Sequence, residues 1–317
     1  MSCSEEKLNS SIRKALKECL AVTPGENLLV IADTVTEKIG RGFWNIGKEL
    51  GAESMLMMLF PRKNHGEEPP PAVASAMKNA DIFVAPTSKS LTHTKAREEA
   101  TKAGARGATL PSVTEDIICR AIDVNYEEME KLVMKLVDLL SKGKQVQLTS
   151  ASGTNITFSI DGRSGEPDTG IYRKPGEFGN LPAGEAYIAP VEETANGIFI
   201  VDGAMAGSNG LAESIRVEVV DGYATKITGG DAAKNLESAL EKHGKLARNI
   251  AEFGIGTNPS ARIIYNVLED EKVMGTVHIA LGNNLHFGGK VDVPLHLDGI
   301  ITSPSFSIDG IEVMKDG

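Results

Sequence analysis

Apolar positions follow two rhythms along the chain. In the first half, short unbroken apolar runs alternate with segments of helical spacing. The runs are NLLVIAD (27–33), ESMLMMLF (53–60), DIFVAPT (81–87) and ARGATLP (105–111). Near-continuous apolar character over so few residues predicts strands covered on both faces. Between them lie residues 35–50, stopped by Gly51, a helix start at PPPAVASAMKNA, and residues 92–103. This strand–helix alternation predicts an α/β domain with a parallel sheet. NYEEMEKLVMKLVDLLSK (125–142) predicts a long amphipathic helix with Met129, Leu132, Val133, Leu136 and Leu139 on its apolar face, ended by Gly143. The boundary is placed there, giving an α/β domain over 1–143 and a second domain over 144–317.

Beyond it the period shortens to two. QVQLTSASGTNITFSIDG alternates polar and apolar residues around Ser152-Gly153, the pattern of a hairpin. GIFIVDG, SIRVEVVDGYATKITGG and SFSIDGIEVMKDG repeat it, interrupted by one helix over 231–247. A mainly antiparallel α+β domain is expected. Residues 161–184 are rich in Gly and Pro and predict a long loop.

Composition narrows the partners. The 317 residues carry 33 basic and 43 acidic side chains, a net charge of -10. That balance argues against nucleic acid or an anionic membrane surface as main partner. No apolar run approaches the roughly 18–20 residues of a membrane span. The first residues, MSCSEEKLNSSIRKALKECL, lack the apolar core of a signal peptide. Cys3, Cys19 and Cys119 are widely spaced with no CxxC pair, as in a reducing compartment. A cytoplasmic protein is expected.

Histidines point to chemistry. Three of the six, His278, His286 and His296, fall in one short segment. In a strand, residues two apart share a face, so His296-Leu297-Asp298 presents an imidazole and a carboxylate together. Such a pair can bind a metal once another residue joins it. A buried histidine bonded to a neighbouring aspartate gives the same short pattern. Glu185 in NLPAGEAYIAP and Glu252 in NIAEFGIGTNP lie among apolar residues and glycines. There an ionised carboxylate is costly unless paired or metal-bound. Weaker candidates are Asp33, at the end of the first run, and His65, in a polar loop. A basic loop of Arg163, Tyr172, Arg173 and Lys174 is suited to a substrate carboxylate.

NLPAGEAYIAP, AEFGIGTNP, VHIALG and PLHLDGI together resemble the M29 aminopeptidases, the thermophilic metallopeptidases. The resemblance implies two divalent ions (Zn, Co or Mn) on Glu185, Glu252, His278, His296 and Asp298, with Glu252 bridging or acting as general base. It also implies a homodimer, a small peptide substrate and hydrolysis of N-terminal residues. Two departures lie beside the implied pocket. Leu285, with His286 next to it, stands where the peptidases carry a tyrosine, and the spacer from His278 to His296 is short. The same structural family looks to include ring-cleaving dioxygenases of hydroxylated pyridines. The alternative expectation is therefore a mononuclear Fe(II) enzyme using His296, Asp298 and a further histidine, His278 or His243.

Overall fold

The computed structural model describes residues 3–317, which divide into two compact units: 3–130 with 168–183, and 131–167 with 184–317. Helix α1 (Glu5–Lys14) opens the chain on a Ser4 cap whose hydroxyl accepts from the Lys7 amide. Nothing in the apolar pattern announced it. Then come β1 (Asn27–Asp33), α2 (Glu37–Glu49), β2 (Glu53–Leu59), α3 (Pro71–Lys78), β3 (Ile82–Ala85), α4 (Lys95–Lys102), β4 (Arg106–Thr109), α5 (Glu115–Ala121) and α6 (Tyr126–Lys142). β1 is buried from Leu28 to Asp33, and β3 and β4 along their whole length. That burial is why these runs lack polar alternation.

The chain continues through β5 (Gln145–Ser150), β6 (Asn155–Ser159), β7 (Glu166–Asp168), β8 (Phe178–Asn180), β9 (Glu185–Ile188), β10 (Asn196–Val201), β11 (Ile215–Val220) and β12 (Tyr223–Thr228). It ends with α7 (Asp231–Glu241), β13 (Ile250–Gly256), α8 (Val267–Asp270), β14 (Val277–Gly282), β15 (His296–Ile301), β16 (Pro304–Ile308) and β17 (Ile311–Met314). The first unit holds a parallel sheet in the order β2-β1-β3-β4-β8. The second holds a seven-stranded antiparallel sheet, β12-β11-β10-β6-β5-β16-β17. A third sheet has the order β15-β14-β13-β9-β7. An α/β domain followed by a β-rich domain is thus the observed class.

Three local expectations are corrected. The stretch 161–184 is not all loop: β8 extends the parallel sheet beside β4. Strands of three residues are too short to show a period. The buried stripe of α6 runs through Met129, Val133, Leu136, Val137 and Leu140, while Leu132 and Leu139 are exposed. The helix carries more leucines than its buried face needs. The helix expected over 231–247 stops at Glu241; Gly244, at φ 73, turns the chain into a short 3-10 segment. Cys3 and Cys119 are disulfide-bonded, against the expectation of free thiols, and their separation of 116 residues offered no local spacing to read.

β13 to β15 place the functional side chains. Phe253 on β13 points to the core, its ring centroid 5.3 Å from both Phe158 and Phe306. Such pairs contribute about 0.5–1.5 kcal/mol beyond burial. The strands that carry the site on their other face are therefore backed by an aromatic layer.

Candidate metal centre

Register decides which residues meet. Gly254 pairs with His278 and Tyr187, Gly256 with Glu185, and Glu252 with Ala280. Across β14, Ala280 pairs with Asp298 and Gly282 with His296. Paired residues share a face, and residues two apart on a strand share it again. One face of the sheet thus carries Glu185, Glu252, His278, His296 and Asp298, with Gly254, Gly256, Ala280 and Gly282 between them. A β-bulge between Ile250 and Glu252 takes up the extra residue Ala251, keeping Ile250 on the core side and Glu252 on the site side.

The glycines make room. A Cβ on Gly254 would sit 1.9 Å from His278 Nε2, so the imidazole lies directly over the glycine. His278 is fully buried and has nowhere to retreat. Gly254→Ala is expected to destabilise the protein by about 1–3 kcal/mol through overpacking. It should also lower metal content by moving the ring. An unchanged urea midpoint together with unchanged bound metal would show that the ring is free to shift.

Glu252 is the hub. His278 Nε2 lies 3.2 Å from its Oε1, and His296 Nε2 lies 3.3 Å from its Oε2. His278 Nε2 is also 3.4 Å from Glu185 Oε2, and His296 Nε2 is 3.3 Å from Asp298 Oδ1. Two groups result whose ligand atoms lie within 4.8 Å of one another: Glu185–Glu252–His278 and Glu252–His296–Asp298. Among the described residues both lie in the second unit. His296 Nδ1 lies 2.8 Å from the Asn283 carbonyl, which can only accept. Nδ1 therefore carries a proton, and Nε2 is the atom turned to the carboxylates, where it donates to them as a protonated ring and would offer its lone pair once an ion displaced that proton, as in a metal-ligating histidine.

Electrostatics support a cation here. Burial pushes the Glu252 carboxyl up, but hydrogen bonds and charge from His278 and His296 outweigh it and hold it well below the usual range. Burial likewise opposes ionisation of Asp298, and His296 lowers it on balance. Burial works against a charged His296, yet Asp298 and Glu252 hold its imidazole well above the ordinary value. His278 is raised in the same way, chiefly by Glu252. Protons on the two rings thus supply positive charge of the kind a bound ion would supply, and an ion taking an imidazole as ligand would displace its proton.

The sequence reading missed five participants. Lys272 is 1% exposed, and its ammonium contacts Glu185 and, at 2.8 Å, Glu271. Glu271 is pushed up to about 8, first by burial and then by Glu185 and Asp298, with Lys272 opposing. Phe287 meets His296 edge-on at 5.8 Å and Tyr187 at 5.6 Å. Asn283 acts through its backbone. The only signals available were the unbroken charge run EDEK and the proximity of 283–287 to the histidines.

Other candidates lie elsewhere or hold structure. His243 is exposed beyond α7 and belongs to neither group, so it is no third ligand. Asp33 accepts from the Val35, Thr36 and Ser88 amides and clamps the loops after β1 and β3. His65 accepts from the Ser90 amide. Arg163 pairs with Glu192, which also holds Asn284 and the Lys290 amide, so it braces the segment leading to His296. Tyr172 bonds Asp168, Arg173 the Glu18 carbonyl and Lys174 the carboxylate of Glu177.

A sheet face carrying buried imidazoles and carboxylates this close together is a group of residues able to hold a metal ion. A family model described as NicX, 2,5-dihydroxypyridine 5,6-dioxygenase, matches residues 7–317, and the chain belongs to that family. The 2,5-dihydroxypyridine 5,6-dioxygenase of Pseudomonas putida is 24% identical over 259 residues, covering 78% of this chain and 73% of that protein. The solved structure of the Pseudomonas putida enzyme aligns with a TM-score of 0.83 at 19% identity, covering 99% of this chain and 97% of that one. AmpT from Thermus thermophilus aligns with a TM-score of 0.76 at 16% identity, covering 98% of each chain. At these identities the two structures establish the fold.

The aminopeptidase expectation is thereby corrected. The M29-like fold is present, but the family is one of dioxygenases, so neither a hydrolase nor a peptide substrate follows. The general-base role given to Glu252 for hydrolysis goes with it. The five quoted residues come together on one sheet face and could hold a metal, and donor types set which ions bind without specifying what reacts beside them. Among the described residues no helix is long and apolar enough to cross a membrane.

Proposed function

We propose that this chain is an Fe(II)-dependent dioxygenase that opens a dihydroxylated nitrogen heteroaromatic ring. The observation that carries the reading is the family match over residues 7–317, which includes the whole metal-capable sheet. Glu252, His296 and Asp298 would hold the ion. Mixed imidazole and carboxylate donors suit Fe(II), although this set has one histidine and two carboxylates where two histidines were expected. His296 is 30% exposed and His278 is 0%, so this group is the one that substrate can reach. When bound, the iron would supply the electron transfer with dioxygen that side chains cannot.

The protein's own residues do the rest. The Asn283 carbonyl fixes the His296 ring. Phe287 and Tyr187 offer aromatic surface beside His296 on which a flat ring can pack. Glu271, pushed up to about 8, keeps a proton near neutrality and is suited to exchanging it.

Protein loaded with Fe(II) under argon is expected to consume dioxygen and 2,5-dihydroxypyridine in equal amounts, with loss of the ring's ultraviolet band. Zn(II)-loaded protein should consume neither. If the Fe(II) protein takes up no oxygen with this ring or its dihydroxy isomers, the dioxygenase reading fails.

A further inference from the structure

Lys272 gives the inference, which rests on the reading that the cluster holds a divalent ion. By donor count the sheet offers two overlapping metal groups, sharing Glu252. The enclosed one, Glu185–Glu252–His278, already has a cation against it. The Lys272 ammonium contacts Glu185 Oε1, while Glu185 Oε2 faces His278 Nε2 at 3.4 Å. Its second carboxylate is Glu271, 2.8 Å away.

The lysine is fixed in place. Its carbonyl accepts from the Asn258 amide at 2.8 Å, and the Met274 amide donates to the Asn258 carbonyl at 3.1 Å. The segment also lies tightly on β13: a Cβ at Gly256 would stand 2.1 Å from the Val273 carbonyl oxygen. With its side chain 1% exposed, the ammonium has no solvent to swing into. A dication on one oxygen of Glu185 would face this fixed positive charge on the other, in surroundings that screen poorly. On the other side, His296 Nε2 faces Glu252 Oε2 and Asp298 Oδ1, each at 3.3 Å.

We propose that Lys272 serves as a built-in cation that takes the charge role of a second metal, so that the chain holds one exchangeable divalent ion, on Glu252, His296 and Asp298. Glu185 is then a partner of the lysine rather than a ligand.

The test counts ions and needs no turnover. Metal-stripped protein is titrated with Mn(II), bound metal is measured after gel filtration, and the spin-resonance spectrum is recorded. Wild type is expected to bind one ion per chain with the spectrum of an isolated Mn(II). Lys272→Met should bind two, with a spin-coupled spectrum, and Lys272→Arg should return to one. Glu185→Gln in the otherwise wild-type chain should still bind one with affinity changed less than about tenfold, well short of the loss of a direct ligand. This second variant serves if Lys272→Met does not fold. Two ions in wild type, or one in a folded Lys272→Met, would overturn the role of the lysine while leaving a metalloprotein. No ion in wild type would remove the metal reading itself, and the proposal with it.

Discussion

His296→Ala is expected to remove the ion and, with it, turnover. The side chain offers Nε2 to the space between Glu252 and Asp298, and its ring is oriented by the Asn283 carbonyl. Loss of a group that merely orients a ligand costs about 10–100-fold in metal affinity, and loss of the ligand itself should cost at least that. Ligand-linked stability gives a readout independent of substrate. At about 100 times the dissociation constant, bound metal stabilises the folded state by about 2.7 kcal/mol; affinity weaker by about 100-fold leaves only about 0.4 kcal/mol. The rise in melting temperature on adding Mn(II) should therefore nearly vanish in the variant. The edge contact with Phe287 is lost too, but such contacts are worth only about 0.5–1.5 kcal/mol. A His296→Ala protein that keeps its bound metal and its thermal shift would remove His296 from the ligand set.

Where one face of an element meets one environment, the sequence was legible. β1 shows as LLVIA because both sides are buried, and the 145–159 hairpin shows as alternation around Ser152-Gly153. Legibility failed where tertiary context overrides local pattern. α6 carries leucine on exposed as well as buried positions, so the apolar face could be placed a few residues out of phase. β8 exists because an edge of the parallel sheet is there to pair with, and its three residues have no period of their own.

The site divides the same way. His296 and Asp298 are two apart in one strand, so their common face follows from the strand period. That Glu185, Glu252 and His278 join them depends on the register of three strand pairs and one bulge, which no local pattern encodes. Lys272 could not be found: in EDEK it looks like one charge of a solvated run, and only the fold buries it. Gly254 is equally silent until the register places His278 over it. The metal platform was thus more readable than the reaction. Ligand types repeat wherever the same kind of ion is held, whereas chemistry depends on what stands beside the ion, here Phe287, Tyr187, Glu271 and Lys272.

Glu252→Gln should separate a shared hub from an ordinary ligand. One oxygen of Glu252 lies 3.2 Å from His278 and the other 3.3 Å from His296, so it alone belongs to both metal groups. An amide keeps one acceptor but turns an N–H donor toward the other imidazole, and it brings no negative charge to a dication. Metal affinity is expected to fall by at least about 100-fold, again judged against the 10–100-fold cost of losing mere support. Oxygen uptake with the dihydroxylated ring should fall with it. The fold should survive. The substitution removes a negative charge that works against ionised Asp298, even as it weakens the contacts to the two rings. Active-site groups of this kind are commonly held at a cost in stability. Calorimetric titration with Mn(II) of Glu252→Gln beside Glu185→Gln makes the comparison. A large loss in the first and less than about tenfold in the second is the expected result, because a direct ligand matters more than a residue outside the coordination shell. Equal losses would mean that Glu185 ligates the ion as Glu252 does, and unchanged affinity in Glu252→Gln would mean that the ion is held without the hub.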